Sequence, residues 1–154
     1  MGAPIKLMRT APAGSGGSGS SGTAAGESAQ IVTGVLAAGA IENDTMPLGK
    51  MISVYRIVVS GPARIRMYQT SAQRAADASR SNFQLPPPGT PHGVIGDWWL
   101  DGSATGPFNF PCSPVADGQN NDSPQTTSIY VAVTNLALVS AAITVTIYYV
   151  PMES

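Results

Sequence analysis

The chain has 154 residues, of which 43% are hydrophobic and 11% charged, and its formal net charge is −1. This length accommodates one ordinary domain plus an extension. The near-neutral balance excludes a strong global attraction to nucleic acid or to an anionic membrane. The charged fraction lies well below the roughly 25% of ordinary globular domains. It predicts a surface largely covered by neighbouring chains, the alternative being a small neutral domain that is merely sparsely charged.

Residues 1–29 are predicted to form an extended assembly arm. Residues 13–26 read AGSGGSGSSGTAAG, a tract without side chains that could bury an apolar surface. Ordering such a tract costs roughly 1–2 kcal/mol per residue in backbone entropy. We therefore expect the arm to be held by neighbouring subunits and a folded domain to occupy residues 30–154.

The first half of that domain is predicted to contain three strands. They cover residues 30–36, 48–59 and 63–68, and the last of them alternates apolar and polar positions. In this strand Arg64, Arg66 and Tyr68 are expected to point outward. The short turn at residues 60–62 is predicted to join the second and third strands as an antiparallel pair.

A short helix is predicted after Thr70, because Thr70 and Gln73 have the spacing of a capping box. The following run at residues 85–89, LPPPG, is incompatible with a helix or a central strand. Further strands are predicted at residues 93–100, 107–111, 128–134 and 141–150, with the last one central in its sheet. The pattern indicates a mainly β protein, an antiparallel β-sandwich that is jelly-roll-like, with one short helix and the N-terminal arm.

The charges are divided along the sequence. Residues 45–80 contain six basic residues and one acid, whereas the residues after Arg80 contain five acids and no Lys or Arg. This division suits pairing across one sandwich or between identical subunits. We expect pairing between subunits, with Arg64 or Arg66 facing Asp97, Asp101 or Asp117 of a neighbour. Arg56 and Arg80 are included in the predicted interface.

No catalytic or metal site is predicted. His92 is the only histidine and Cys112 the only cysteine, and neither lies in a recognisable nucleophile motif. A zinc site lacks the necessary ligands. The loop from Asp117 to Asp122 could bind calcium weakly, but it lacks the spaced acids of a dedicated site, so a solvated turn is favoured. No cofactor is expected.

Trp98 and Trp99 are flanked by Asp97 and Asp101. Two carboxylates beside an aromatic platform suggest binding or hydrolysis of a glycan, although the chain is small for a cleft. We favour one tryptophan in the core and the other at an interface, where tryptophan is enriched. The basic stripe formed by Arg56, Arg64 and Arg66 lacks a recognition helix or a phosphate loop, so no specific nucleic acid is expected.

Two segments resemble parts of small structural proteins encoded in the virion gene blocks of tailed bacteriophages. They are VYRIVVSGPARIRMYQTSAQRAADASR, at residues 54–80, and YVAVTNLALVSAAITVTIYYV, at residues 130–150, where a hairpin leads into a final alternating strand. The sequence departs from that pattern at Ser81, which stands where those proteins have proline. The resemblance implies a virion protein without catalytic residues.

The resulting hypothesis is a structural component of a phage tail tip, baseplate or fibre, acting through contacts with copies of itself and other virion proteins. The alternatives are a capsid decoration (cement) protein and a receptor-binding module that uses Trp98 and Trp99 on a host surface glycan. No run approaches the ~18 apolar residues of a membrane helix, and no secretory signal precedes the domain. We expect no membrane partner, assembly in the host cytoplasm and a final location in the virion.

Overall fold

The computed structural model describes residues 26–81, 84, 93–99 and 108–153, with the side chains of residues 108–115 left out. The predicted proline run at residues 85–89, and the arm up to residue 25, lie outside this description. The elements in chain order are β1 (Glu27–Leu36), β2 (Ile41–Pro47), β3 (Met51–Val59), β4 (Ala63–Tyr68), α1 (Ser71–Ala76), β5 (Val94–Trp99), β6 (Phe108–Gln119), β7 (Ser128–Asn135) and β8 (Ala141–Glu153).

The strands form two antiparallel four-stranded sheets. Sheet 1 has the order β1-β8-β3-β6, and sheet 2 has the order β2-β7-β4-β5. The two sheets share one apolar core, in which β3 and β8 of sheet 1 meet β4 and β7 of sheet 2. The prediction of a mainly β protein with two sandwich-like sheets and one short helix is confirmed.

Strand β8 illustrates why these sequences form half-buried strands. Ile143, Val145, Ile147 and Tyr149 alternate with polar or half-exposed residues, and each of the four is at most 2% exposed. Their period of two places all four side chains on one face. Because β8 lies between β1 and β3, the prediction of a central last strand is confirmed.

The turn at residues 60–62 does not form the predicted hairpin, because β3 and β4 belong to different sheets. The Ser60 amide donates to the Thr144 carbonyl of β8, whereas the Pro62 carbonyl accepts from the Leu136 amide just beyond β7. The turn therefore crosses from one sheet to the other. The same correction applies to the expected hairpin between β7 and β8, which also lie in different sheets.

Strand β2 was not predicted, and the boundaries of β1 and β6 differ from expectation. The sequence of β2, IENDTMP, is polar, and Met46 is its one buried residue. It pairs with β7 alone, at the edge of sheet 2. At the arm, β1 begins at Glu27 rather than at residue 30, and β6 continues to Gln119 through positions predicted as loop.

Helix α1 starts as the sequence predicts. The Thr70 hydroxyl accepts a hydrogen bond of 3.1 Å from the Gln73 amide, which satisfies one of the unpaired donors of the first turn. The helix places residues 77–81 beside β4 and so helps to build the site described next. None of the helices in the described ranges is long and apolar enough to cross a membrane.

Candidate functional site

The outer face of β4 carries Arg64, Arg66 and Tyr68, which alternate with the core residues of the same strand. These three side chains are 1%, 1% and 0% exposed, respectively. The prediction that they point into solvent or towards a neighbour is wrong. Residues 77–81, which follow α1, cover this face and supply acceptors for both arginines.

Arg64 is paired with Asp97 of the same chain. Its Nε donates to Asp97 Oδ1 at 2.9 Å and its Nη2 to Asp97 Oδ2 at 2.8 Å, a bidentate arrangement. A further hydrogen bond of 2.8 Å joins Arg64 Nη1 to the Ser81 carbonyl. The pairing of β4 with β5 brings these residues together, because it places Asp97 opposite Arg66 and diagonal to Arg64.

Asp77 is the second acid of this cluster. Arg80 Nε and Nη2 donate to its two oxygens at 2.6 and 2.8 Å, and the Tyr68 hydroxyl donates to Oδ2 at 2.6 Å. Arg66 Nη1 lies 3.3 Å from the same oxygen and 3.0 Å from the Asp77 carbonyl. Arg80 Nη1 also donates to Asp97 Oδ2 at 2.8 Å, so Arg80 links the two acids. We call these six side chains the arginine network; its members are Arg64, Arg66, Tyr68, Asp77, Arg80 and Asp97.

Both acids of the arginine network are held in the ionised state. Burial alone would raise the pKa of Asp77, but hydrogen bonds from Arg80 and Tyr68 outweigh burial and lower it. Burial likewise opposes ionisation of Asp97, and hydrogen bonds from Arg64 and Arg80 lower its pKa. Burial, followed by the hydrogen bond to Asp77, raises the pKa of Tyr68, so its hydroxyl remains a donor.

The arginine network is suited to stabilising the fold rather than to acid catalysis. An acid catalyst must carry a proton near neutral pH, and a carboxylate clamped by two guanidinium groups does not. Asp97 is therefore unsuited to be the general acid of the glycan hydrolysis considered from the sequence. The expected pairing of Arg64 with an acid of a neighbour is also wrong, because Asp97 of the same chain fills that position. Arg80 is also paired with Asp77, three residues earlier in the same chain.

Arg56 lies apart from this network. It belongs to β3 of sheet 1, so the predicted stripe of Arg56, Arg64 and Arg66 does not exist. The guanidinium carbon of Arg56 lies 4.8 Å from the centre of the Tyr148 ring, within cation–π range. Tyr55 lies beside the same ring, with 6.2 Å between the ring centres.

Trp98 and Trp99 point to opposite faces of β5 and form no common platform. Trp98 is half-buried, packs against the shared core and lies over Gly96, where an added Cβ would come within 1.9 Å of the indole. Trp99 is 47% exposed. The opposite orientations follow from the period of two in a strand. Asp101 and His92 lie outside the described residues, as does the side chain of Cys112.

The predicted polar loop is organised by Asn120, which is fully buried. Its Oδ1 accepts from the amides of Asp122 and Thr126, and its Nδ2 donates to Asp122 Oδ2. The Tyr130 hydroxyl donates to the same Asp122 oxygen at 2.6 Å. Asp117 instead accepts from Ser53 within sheet 1. Across the described residues no three His, Cys, Asp or Glu side chains come together, so this loop presents no acid cluster for calcium.

The sequence reasoning missed a group of exposed apolar residues at one end of the molecule. Val35 is 76% exposed on β1, and Leu138 and Val139 are 88% and 68% exposed between β7 and β8. The LALV run at residues 136–139 is an apolar segment that could have indicated this group, but it was assigned to the expected hairpin. A search against protein-family models and a search of curated proteins each found no match to this chain.

Proposed function

We propose that this chain is a non-catalytic structural subunit of a tailed-phage virion and that its domain is a jelly roll. The observation that carries the proposal is the strand order. In an eight-stranded jelly roll, strands 1, 8, 3 and 6 form one sheet and strands 2, 7, 4 and 5 form the other. The orders β1-β8-β3-β6 and β2-β7-β4-β5 are the same. Jelly rolls recur in viral shells and in lectins.

The distribution of charge favours the structural role over a lectin. Three of the eight basic residues, Arg64, Arg66 and Arg80, are buried in the arginine network, where they pair with Asp77 and Asp97 of the same chain. Few charges are left for the outer surface, while apolar side chains remain exposed at one end. Surfaces of this kind are covered in an assembly. The separated tryptophans also remove the platform on which the glycan-binding alternative relied.

Within the virion we propose the tail tip, baseplate or fibre region, with capsid decoration as the alternative. Both locations require contacts with copies of the chain or with other virion proteins, and neither requires a ligand. The resemblance of residues 54–80 and 130–150 to small structural proteins of tailed phages supports a place in the virion and fits both locations.

The test is to purify particles from a strain that encodes the chain and to quantify the chain by mass spectrometry. We expect it in the particle fraction in many copies, with immunogold labelling at the tail. Labelling over the head would favour the decoration role. A chain recovered entirely in the particle-free supernatant would contradict the proposal.

A matched pair of variants separates assembly from attachment. Trp99→Ala should leave attachment to host cells unchanged, because a single exposed indole does not make a glycan platform. Met152→Ala, which removes another side chain that is more than half exposed, is the control. Normal assembly with attachment lost in the Trp99 variant alone would favour the receptor-binding role instead.

A further inference from the structure

Four exposed apolar side chains lie at one end of sheet 1, and we call them the end patch. They are Val32, Val35, Leu138 and Val139, with exposed fractions of 48%, 76%, 88% and 68%. Val32 and Val35 pair with Thr144 and Ala142 of β8. Both therefore lie on the outer face of the sheet, away from Ile143, which is in the core.

The side-chain amide of Asn135 joins the two halves of the end patch. Its Nδ2 donates to the Leu36 carbonyl at 2.8 Å and to the Val139 carbonyl at 2.9 Å. One nitrogen therefore fixes the end of β1 against the β7–β8 connection. Asn135 is fully buried, so the patch rests on a rigid support.

The surroundings of the end patch are acidic or neutral. Residues 32–42 and 136–142, which form this end, include Glu42 but no Lys or Arg. Glu42 lies at the patch itself, because its Oε2 accepts from the Gly34 amide at 3.0 Å, next to Val35. A fitting occupant is therefore a short apolar segment with flanking positive charge.

The N-terminal segment has this chemistry. Residues 5–9 read IKLMR, three apolar residues with two cations, and a Gly/Ser-rich tract separates them from β1. We propose that residues 5–9 of one copy dock on the end patch of a neighbouring copy. Ile5, Leu7 and Met8 would cover the apolar side chains, and Lys6 and Arg9 would face Glu42.

Size and reach support this occupant over a symmetric patch-to-patch dimer. A stable dimer covers about 800 Å² on each partner and 20 or more residues, and four side chains fall far short of that. Pairing two end patches would also bring two Glu42 residues together. The chain enters β1 at Glu27, at the opposite end of that strand from Val35. The 16 residues from 10 to 25 span at most about 55 Å, enough to reach an adjacent subunit.

This inference rests on the proposed role in assembly, and a cysteine cross-link tests it directly. In a Cys112→Ser background, which removes the only cysteine, one chain carries Leu7→Cys and a differently tagged chain carries Leu138→Cys. After mixing and mild oxidation we expect a disulfide-linked heterodimer. Its yield should exceed by about tenfold that obtained with Met152→Cys, as docking raises the effective concentration of the thiols. Met152 is the control because it is 58% exposed near the end of β8 that lies away from the patch.

The outcomes are distinct. Equal yields with Leu138→Cys and Met152→Cys would overturn the docking site. A chain with both Leu7→Cys and Leu138→Cys that closes only on itself at every protein concentration would overturn docking between copies. Cross-linking that disappears with Ile5→Asp, while the thermal unfolding of the domain is unchanged, would support it.

Particle analysis distinguishes failure of this inference from failure of the proposed function. Incorporation into particles without the cross-link would leave the virion role intact and reject the docking site. The cross-link without incorporation would support contact between copies and reject the virion role.

Discussion

Asp77 receives hydrogen bonds from three side chains, Arg66, Tyr68 and Arg80, in a site that water barely reaches. Moving ionised groups out of water costs several kcal/mol each, and the attraction among them offsets that cost only while every partner is present. The arginine network therefore adds little net stability as a whole. Removing any one member nevertheless lowers the free energy of unfolding strongly, because the remaining buried groups lose their partner.

Replacement of Asp77 by asparagine tests this asymmetry at constant volume. Asp77→Asn leaves Arg66 and Arg80 close together without the intervening charge, and we expect it to lower the free energy of unfolding by about 3–5 kcal/mol. Urea unfolding measures the change. Asp117→Asn is the matched control, because that carboxylate accepts from Ser53 at an exposed position; its expected effect is about 0.5 kcal/mol. Similar small losses in the two variants would contradict the argument.

The network also sets the pH dependence of stability. The pKa values of Asp77 and Asp97 are lower in the folded chain than in the unfolded chain. The pKa of an aspartate in the unfolded chain is about 3.9. When the pH falls below this value, the unfolded chain binds protons that the folded chain does not, so unfolding becomes more favourable. We expect the melting temperature to be flat near neutral pH and to fall as the pH decreases below about 4.

Melting curves between neutral and strongly acidic pH check this expectation. An Asp77→Asn, Asp97→Asn double variant provides the comparison, since it lacks both titrating groups; if it does not fold, Asp97→Asn alone serves. The variant should begin less stable and lose less on acidification. An acid-induced loss that is identical in the variant and the wild type would assign the effect to other carboxylates, such as Asp122.

At the scale of elements, Asn135 at the end of β7 secures two connections at once. Its Nδ2 faces the carbonyls of Leu36, Ala37 and Val139, and its Oδ1 accepts from the Ala137 amide at 2.9 Å. We expect Asn135→Ala to cost about 2–3 kcal/mol, because buried acceptors lose their donor. Asn135→Asp should cost more, because it places a carboxylate against those carbonyls.

Hydrogen exchange provides a local measurement of this effect. The Ala137 amide should lose protection in Asn135→Ala, whereas the core amides of β8 should keep theirs in proportion to global stability. Asn43→Ala, at an exposed position of β2, should change neither value. Unchanged protection at Ala137 would show that the connection holds without the amide.

The two tryptophans of β5 give a prediction for an edge strand. Trp98→Ala removes an indole packed against the core and should lower the unfolding free energy by about 3 kcal/mol. Trp99→Ala removes a 47% exposed side chain and should cost under about 1 kcal/mol. Urea unfolding, followed by far-ultraviolet circular dichroism, compares the two. Equal losses would contradict the orientation assigned to β5.

Strands with strong apolar alternation, such as β4 and β8, could be predicted from the sequence. A period of two places every apolar side chain on one face of a strand, whereas the same period would scatter these side chains around a helix. The polar edge strand β2 could not, since pairing with β7 rather than apolar burial holds it in place. The sequence also did not indicate which strands pair with each other in the sheets. A turn at Gly61-Pro62 fits a hairpin and a crossing between sheets equally well, and contacts distant in sequence decide between them.

Four of the six members of the arginine network, Arg64, Arg66, Arg80 and Asp97, were among the residues predicted for an interface. Tyr68 and Asp77 were not, and neither was the geometry of the network. Charge division correctly indicated that Arg64 pairs with an acid from the later part of the chain, Asp97. Periodicity says which residues share a face of β4, but it does not reveal that residues 77–81 cover the second face. Because the position of residues 77–81 could not be predicted, the sequence could not distinguish an ion pair within one chain from an ion pair between chains.

At the scale of the whole molecule, both sheets contribute to one core, so they should unfold together. Tryptophan fluorescence, which reports on β5 of sheet 2, and far-ultraviolet circular dichroism, which reports on both sheets, should give the same urea midpoint. Asp77→Asn should shift both signals equally. Two separate midpoints would show that the sheets are independent units and would contradict a single domain.

The pairing of β1 with β8 has a consequence for how the protein is made. Glu27 lies opposite Tyr149, so the first strand obtains its hydrogen-bonded neighbour only when the last strand has left the ribosome. Until then the backbone of β1 has no ladder, and the nascent chain presents Ile31 and Val32 to any other extended polypeptide. Where many ribosomes translate one message, neighbouring nascent chains could exchange first strands. Faster synthesis of the final stretch, or chaperone binding until it is complete, should therefore raise the yield of correctly closed subunits more than stabilising the finished domain would.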